Sequence, residues 1–464
     1  MMESEFFNIE WFMETTRALA RVPSLSGTES NRISLALAIA NSLGLKTSMD
    51  SHGNGIVFMD ALPDWPERDE QVQRDGELQR DGFPAVLLTA HADSKLHPGI
   101  PALIGSAEQG GHILKGCGCG DNCAAIAAGI AVMGSLGSIE RIESIEKNGN
   151  SGNFRRNSVV LALTRGEEGQ GCLRGAAYLA KRVRPDLCIA LEGVGPSLLS
   201  WECTAVRRFV IKFAGETHHP WKRGRQTDEN NDQISVGITP MMMAVFFLES
   251  VITLNNRDAG ITVTVNRLET PGGEPGIDPG EVRITLELRA ISEYLMEGLI
   301  RNFTRILIDS CRLESSGFAR LASKYAGKVL FRLNHGYGRS GSDMILSLVA
   351  GDKFTFSDEP VIVECHCIDR RHAVSLKGSR EKAVVISSFF GSRGRPLKEC
   401  RSSSDATAFS EEGISAVMLG LGRGGMTHSH QEWICLDDVM RMAALLRDFC
   451  IAHLEDTEVI GGST

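Results

Sequence analysis

Five short segments place acids and histidines at or just past the ends of apolar runs. Those residue types ligate metals and move protons. His91 and Asp93 follow Pro84–Ala90 (PAVLLTA). A ligating imidazole needs an acceptor on its other nitrogen to fix the tautomer, and a carboxylate two residues on can serve. Asp121 opens DNCAAIAA, where an aspartate alone reads as a helix N-cap. Glu167 and Glu168 follow Ser158–Thr164 (SVVLALT). Adjacent carboxylates in a partly buried place are costly unless a cation sits there or one keeps a proton. Glu192 closes Leu187–Leu191 (LCIAL), and Thr427-His428-Ser429-His430-Gln431-Glu432 follows AVMLG and a glycine-rich turn. Each segment has an ordinary structural reading by itself; five at successive strand ends do not. Two imidazoles with a set of carboxylates suit a pair of divalent metals. A carboxylate can bridge such metals about 3.5–4 Å apart, and the pair activates water for hydrolysis.

Positioning these residues falls to strands alternating with helices. The apolar runs above are expected to be buried strands, with helices from about Asn122 to Met133 and Leu173 to Val183 between them. That alternation predicts an α/β fold with a mostly parallel sheet covered on both faces. Two polar stretches, Asp64–Gly82 and Ser138–Asn157, read as exposed insertions. After Trp201 the pattern changes. Arg207–Ala214, Thr262–Leu268 and Val282–Arg289 alternate like half-exposed strands, and Ser292–Cys311 is an amphipathic helix, as in a smaller α+β domain. Gly317–Arg371 gives no clear organisation. Beyond His372 come a helix, a serine-rich turn, the strand Ala416–Gly420 and a closing helix over Leu436–Leu454. The expected division is therefore residues 1–203 and 372–464 as one domain, with 204–371 inserted as a smaller second one.

Composition narrows the function further. A chain of 464 residues exceeds what one core usually serves, so two domains are expected. The net charge of −9 argues against a nucleic-acid-binding surface. No wholly apolar run reaches the roughly 18 residues of a membrane span, and the first residues lack a basic n-region and an apolar h-region. With twelve cysteines expected to be reduced thiols, the expectation is a soluble cytoplasmic protein. Cys117, Cys119 and Cys123 surround Asp121, but C-x-C-x₃-C matches no common zinc or iron–sulfur spacing. Gly420–Gly425 imitates a dinucleotide loop but precedes a histidine rather than a helix-borne phosphate site. There is no H-E-x-x-H, G-x-S-x-G or G-x-x-x-x-G-K-[ST].

The order H-x-D, D, E-E, E and a late H resembles the cocatalytic-zinc hydrolase family that includes aminoacylase, acetylornithine deacetylase, glutamate carboxypeptidases and peptidase T. The resemblance implies that residues 1–203 and 372–464 form the catalytic domain and 204–371 a lid and dimerisation domain, that His91 and Glu192 hold one zinc, and that Glu168 and His428 hold the other. Asp121 would bridge them, Asp93 would orient His91, and Glu167 would be the general base. His428 fits better than His430, because HSHQE repeats the family's H, three residues, then E. Gly215-Glu216-Thr217-His218-His219-Pro220 looks like the family's G-x-x-x-H segment, closest to the peptidase T version. By that likeness His219, with His218 as alternative, would stabilise the oxyanion in a partner subunit's site, which implies a homodimer. Ser403-Ser404-Asp405-Ala406 with Gly413-Ile414 resembles a segment of the same branch, whereas EPGIDPG departs from the usual lid sequence. Arg289 and Arg401 are candidate clamps for a substrate carboxylate. The activity implied is hydrolysis of small peptides with two zinc ions, cobalt or manganese being possible substitutes. The alternatives are a deacylase of N-acyl amino acids and, in another class, a metal-binding protein without catalysis.

Overall fold

In the strands Val86–His91 and Val159–Thr164 every residue is buried, so neither face meets water. Runs of this kind cannot alternate polar with apolar; they need helices on both sides. The computed structural model describes residues 6–59, 83–96, 111–146, 158–215, 239–275, 277–312, 329–334, 345–350 and 361–461. Two compact units are present: Met1–Cys203 with Val374–Thr464, and Thr204–Ala373.

The first unit is built on an eight-stranded sheet. Its order is Lys46–Met49, Gly55–Phe58, Val159–Thr164, Val86–His91, Leu187–Val194, Ala416–Gly422, Leu198–Cys203 and Lys398–Ser402. The four central strands, Val159–Thr164 to Ala416–Gly422, are mutually parallel. Gly55–Phe58 and Leu198–Cys203 join that block antiparallel. Alternate side chains divide between two layers. Leu88, Leu161 and Ile189 pack with the helices Ala124–Glu146 and Leu436–Gly461, and Leu87, Val160 and Cys188 with Arg174–Ala180 and Asp405–Glu411. Each fully buried Leu, Ile or Val contributes about 1.5–3 kcal/mol to this core. Gly129 lets the first of these helices lie close, since a Cβ there would stand 2.8 Å from Leu161 Cδ1.

That helix corrects two expectations. It continues through Glu146, so Ser138–Glu146 is helical rather than a loop. Leu136, Ile139 and Ile142 recur every third residue among helix-forming Glu and Arg, and the chain has no reason to stop. The helical segment Cys119–Ile139 is also long and apolar enough to cross a membrane, with mean hydropathy 1.6. Because 89% of it is buried inside the protein, it is a core helix here. Residues 60–82 and 147–157, the remainder of the two polar stretches, lie outside the described residues.

The second unit holds a six-stranded sheet ordered Ile345–Ala350, Val329–Asn334, Val361–Arg371, Ala205–Ala214, Glu281–Ala290 and Ile261–Glu269. Three of these strands come from the stretch 317–371 that had no organisation in the sequence. Every pairing is antiparallel except Val329–Asn334 with Val361–Arg371. Phe209, Ile211 and Phe213 face Pro240–Val251 and Glu293–Arg312, where Phe209 stacks on Phe303 with centroids 4.7 Å apart.

Candidate metal centre and active site

Parallel strands end together, and that common edge is where α/β sheets bind ligands. His91 is the last residue of its strand and pairs with Thr164, so Glu167 and Glu168 come just beyond. Glu192 pairs with Gly420, and the chain after that strand returns as the loop bearing His428. The edge therefore gathers every expected ligand.

Distances divide the group in two. His91 Nε2 lies 3.0 Å from Asp121 Oδ1 and 3.7 Å from Glu192 Oε2. His428 Nε2 lies 2.9 Å from Asp121 Oδ2 and 2.7 Å from Glu168 Oε1. Within each group of three the candidate donor atoms all fall within 4.8 Å of one another. Asp121 belongs to both, one oxygen toward each imidazole, which is the disposition a bridging ligand requires. His430 is exposed and belongs to neither group.

Supporting contacts hold these side chains. Asp93, fully buried, lies 3.3 Å from His91 Nδ1. It also accepts from Ser26 Oγ at 2.5 Å and from the backbone N–H groups of Glu167 and Glu168 at 3.1 and 2.9 Å. Burial opposes its charge, but these hydrogen bonds and His91 prevail and hold its pKa below the ordinary value. One carboxylate thus fixes both the imidazole and the Glu-Glu turn. Glu432 does the same for Asp121. Only 1% exposed, it accepts from the N–H groups of Gly118, Gly120 and Asp121 at 3.0, 2.8 and 2.8 Å. Asn122 brackets Glu192, donating to Leu191 O at 2.8 Å and accepting from Gly193 N at 2.9 Å.

The electrostatics call for positive charge. Burial works against a charged His91, yet Asp121, Asp93 and Glu192 raise its pKa well above the usual value. Burial pushes Glu192 up to about 7. His428 is likewise raised by Asp121 and Glu168 against burial. The Lys95 ammonium lies 3.3 Å from its Nδ1. The N/O donor set, the surplus of carboxylates and the shared Asp121 fit two divalent cations.

Other candidates fall elsewhere. Arg401 is engaged with Glu202 at 2.5 Å, and Arg289, in the second unit, with Glu287 at 2.5 Å. Each guanidinium has a carboxylate beside it. His218 and His219 lie outside the described residues. Burial pushes the Cys117 thiol up to about 11 and raises Cys119 and Cys123 too, so all three stay neutral. Gly424–Gly425 pairs with Trp433–Cys435, so the glycine-rich turn leads into a small sheet rather than a phosphate-binding helix. Sequence reasoning missed Ser26, Lys95 and Asn122, and gave Glu432 no role beyond its spacing from His428.

The sequence profile of Peptidase family M20/M25/M40 matches residues 102–452. The chain belongs to that family. Its match starts beyond His91 and Asp93, so those two are placed by geometry alone. Membership makes the chain a hydrolytic enzyme. Solved structures agree in fold. Aminopeptidase PepT from Bacillus cereus is 17% identical with TM-score 0.59, over 97% of this chain and 100% of that one. A tripeptidase from Staphylococcus aureus is 15% identical with TM-score 0.62, over 97% and 99%. A dinuclear metal-binding peptidase of the M20 family from Bacillus subtilis is 12% identical with TM-score 0.54, over 97% and 99%. No curated protein matches by sequence.

Proposed function

We propose that this M20 enzyme is a dimetal peptidase of small peptides, with Glu167 as general base. The observation that carries the reading is the pair of His–carboxylate groups sharing Asp121 beside a fixed Glu-Glu turn. His91 and Glu192 would hold one ion, Glu168 and His428 the other, and Asp121 both. Zinc suits these donors; cobalt and manganese suit them nearly as well. Bound there, the ions would supply Lewis acidity toward the scissile carbonyl and make water a better nucleophile. Glu167 takes a proton from the attacking water and returns it to the leaving amine. Asp93 keeps the His91 tautomer and the turn in register for that transfer. The lid histidine, His219 or His218, donates to the oxyanion from a partner subunit, which requires a homodimer. A fully active monomer would exclude that step.

The likeness of His218-His219-Pro220 and of Ser403-Ser404-Asp405-Ala406 to the peptidase T branch supports peptides over N-acyl amino acids. Metal-reconstituted protein should hydrolyse unblocked tripeptides, and chelation should stop it. Cleavage of N-acetylated amino acids alone would transfer the chain to the deacylases. A chelator that lowers Tm without affecting any hydrolysis would leave a metal-binding protein.

A further inference from the structure

Lys95 stands beside the centre without belonging to the ligand set. Its Nζ lies 3.2 Å from Glu168 Oε2 and 3.3 Å from His428 Nδ1. The neighbouring backbone is anchored. Ser94 N–H donates to Ser24 O at 2.8 Å, and the Ser94 hydroxyl accepts from the buried Arg32 at 2.7 Å. Placement of Lys95 is therefore built in, while its 31%-exposed side chain keeps a path to solvent. An ammonium has three donors and no acceptor, so a hydrogen bond from it to His428 can be made only to a lone pair on Nδ1, while Nε2 faces Glu168 and Asp121. The other half of the centre differs. The His91 ring is bracketed by Asp93, Asp121 and Glu192, all carboxylates.

We propose that Lys95 competes with the cation held by Asp121, Glu168 and His428, and makes that half of the centre the weaker and more readily exchanged one. The inference rests on the dimetal reading above. A ring that ligates through Nε2 carries its hydrogen on Nδ1, which would then face the ammonium, donor to donor. The ammonium also holds one oxygen of Glu168 and repels an arriving divalent ion. Lys95 must therefore leave before the second ion is held well. At His91 nothing has to leave, and Asp93 on Nδ1 strengthens the ligand. The same contact has the opposite effect on the metal-free chain, where Lys95 compensates a carboxylate that is only 6% exposed.

The test is a calorimetric titration of the chelator-stripped full chain with Zn2+ alone, repeated with Co2+ followed by visible absorption. The native chain should take two equivalents in unequal steps. Lys95→Met should tighten the weaker step about 10-fold and leave the tighter one unchanged. It should also lower the Tm of the metal-free protein and widen the Tm gap between free and loaded forms. Lys95→Arg keeps the cation and should keep the unequal steps. His428→Ala should erase the weaker step alone. The proposal is overturned if Lys95→Met shifts neither step or both equally, or if His428→Ala removes the tighter one. Native protein that saturates below two equivalents would instead overturn the dimetal reading, so the two failures are distinguishable.

Discussion

Two clusters of carboxylates among the described residues, one in each unit, are treated differently. At the parallel edge of the first unit lie Asp93, Asp121, Glu167, Glu168 and Glu192, and the carboxylates of Asp93, Asp121, Glu168 and Glu192 are approached by backbone N–H groups, a serine, two imidazoles and one lysine. In the second unit, Glu287 and Asp369 are met by guanidinium groups. Arg208 joins the two carboxylates, Arg289 lies 2.5 Å from Glu287, and Arg371 lies 3.2 Å from Asp369. In the second cluster guanidinium groups supply the opposite charge, although Asp369 Oδ1 is buried without a hydrogen bond. The first gathers its acids around two imidazoles and an ammonium, in a place where unpaired charge is costly. Carboxylates gathered with imidazoles rather than with guanidinium groups are what separate the candidate cation site from the structural network.

The sharpest test of that contrast is Glu167→Gln. If Glu167 is the base, the variant should lose hydrolysis by about 10²–10⁴-fold and still bind two equivalents of metal. Normal turnover would remove Glu167 from the mechanism. Next in size is Glu432→Gln. The amide keeps one acceptor oxygen and turns an NH₂ toward backbone N–H groups, so the loop carrying Asp121 loosens. Metal affinity should drop about 10–100-fold, read by competition with a chromophoric chelator. Unchanged affinity would show that Asp121 is placed without Glu432.

Much of this centre is legible in the chain because it is written locally. An apolar run followed by an acid or a histidine is a strand end, and parallel strands bring their ends together. His91, Glu167, Glu168 and Glu192 need no more than that. Ser26 and Glu432 do, since they reach Asp93 from 67 residues away and Gly118 from 314. Nothing in the local pattern marks a serine as the partner of a buried aspartate. Arg289 and Arg401 show the converse. A guanidinium in a sequence looks available, but one pairs with a carboxylate two residues away and the other with one 199 away. The strands of 329–371 were illegible for a related reason. Val361–Arg371 pairs with Ala205–Ala214, far back in the chain, and Val329–Asn334 bonds in parallel to it past the intervening strand Ile345–Ala350.

The guanidinium cluster makes its own prediction. Arg208→Ala leaves Glu287 and Asp369 buried with less compensation, and breaking such a pair costs about 3–5 kcal/mol. Urea unfolding should show that loss while the metal affinity stays as in the native chain. Replacing Arg208, Glu287 and Asp369 together by apolar residues of similar size should cost much less. If Arg208→Ala weakened metal binding instead, the separation drawn between the two clusters would fail.

The smallest effect is a pH dependence confined to one carboxyl. Burial would raise Glu287, but Arg289 and Arg208 hold it down to about 2 from an ordinary 4.5. A carboxyl depressed on folding stabilises the native state fully above its unfolded pKa, and that stability disappears as pH falls through the folded value. Acid also protonates the other cluster, so absolute stabilities mix the two. The difference between the native chain and Glu287→Gln isolates the one group, because the glutamine does not titrate. With metal-stripped protein throughout, that difference should be constant above pH 4.5 and shrink steadily toward pH 2. A gap that persists to pH 2 would mean the carboxylate stabilises the sheet through shape and hydrogen bonding rather than charge. The guanidinium groups would then not be the counterweight that distinguishes this cluster from the metal centre.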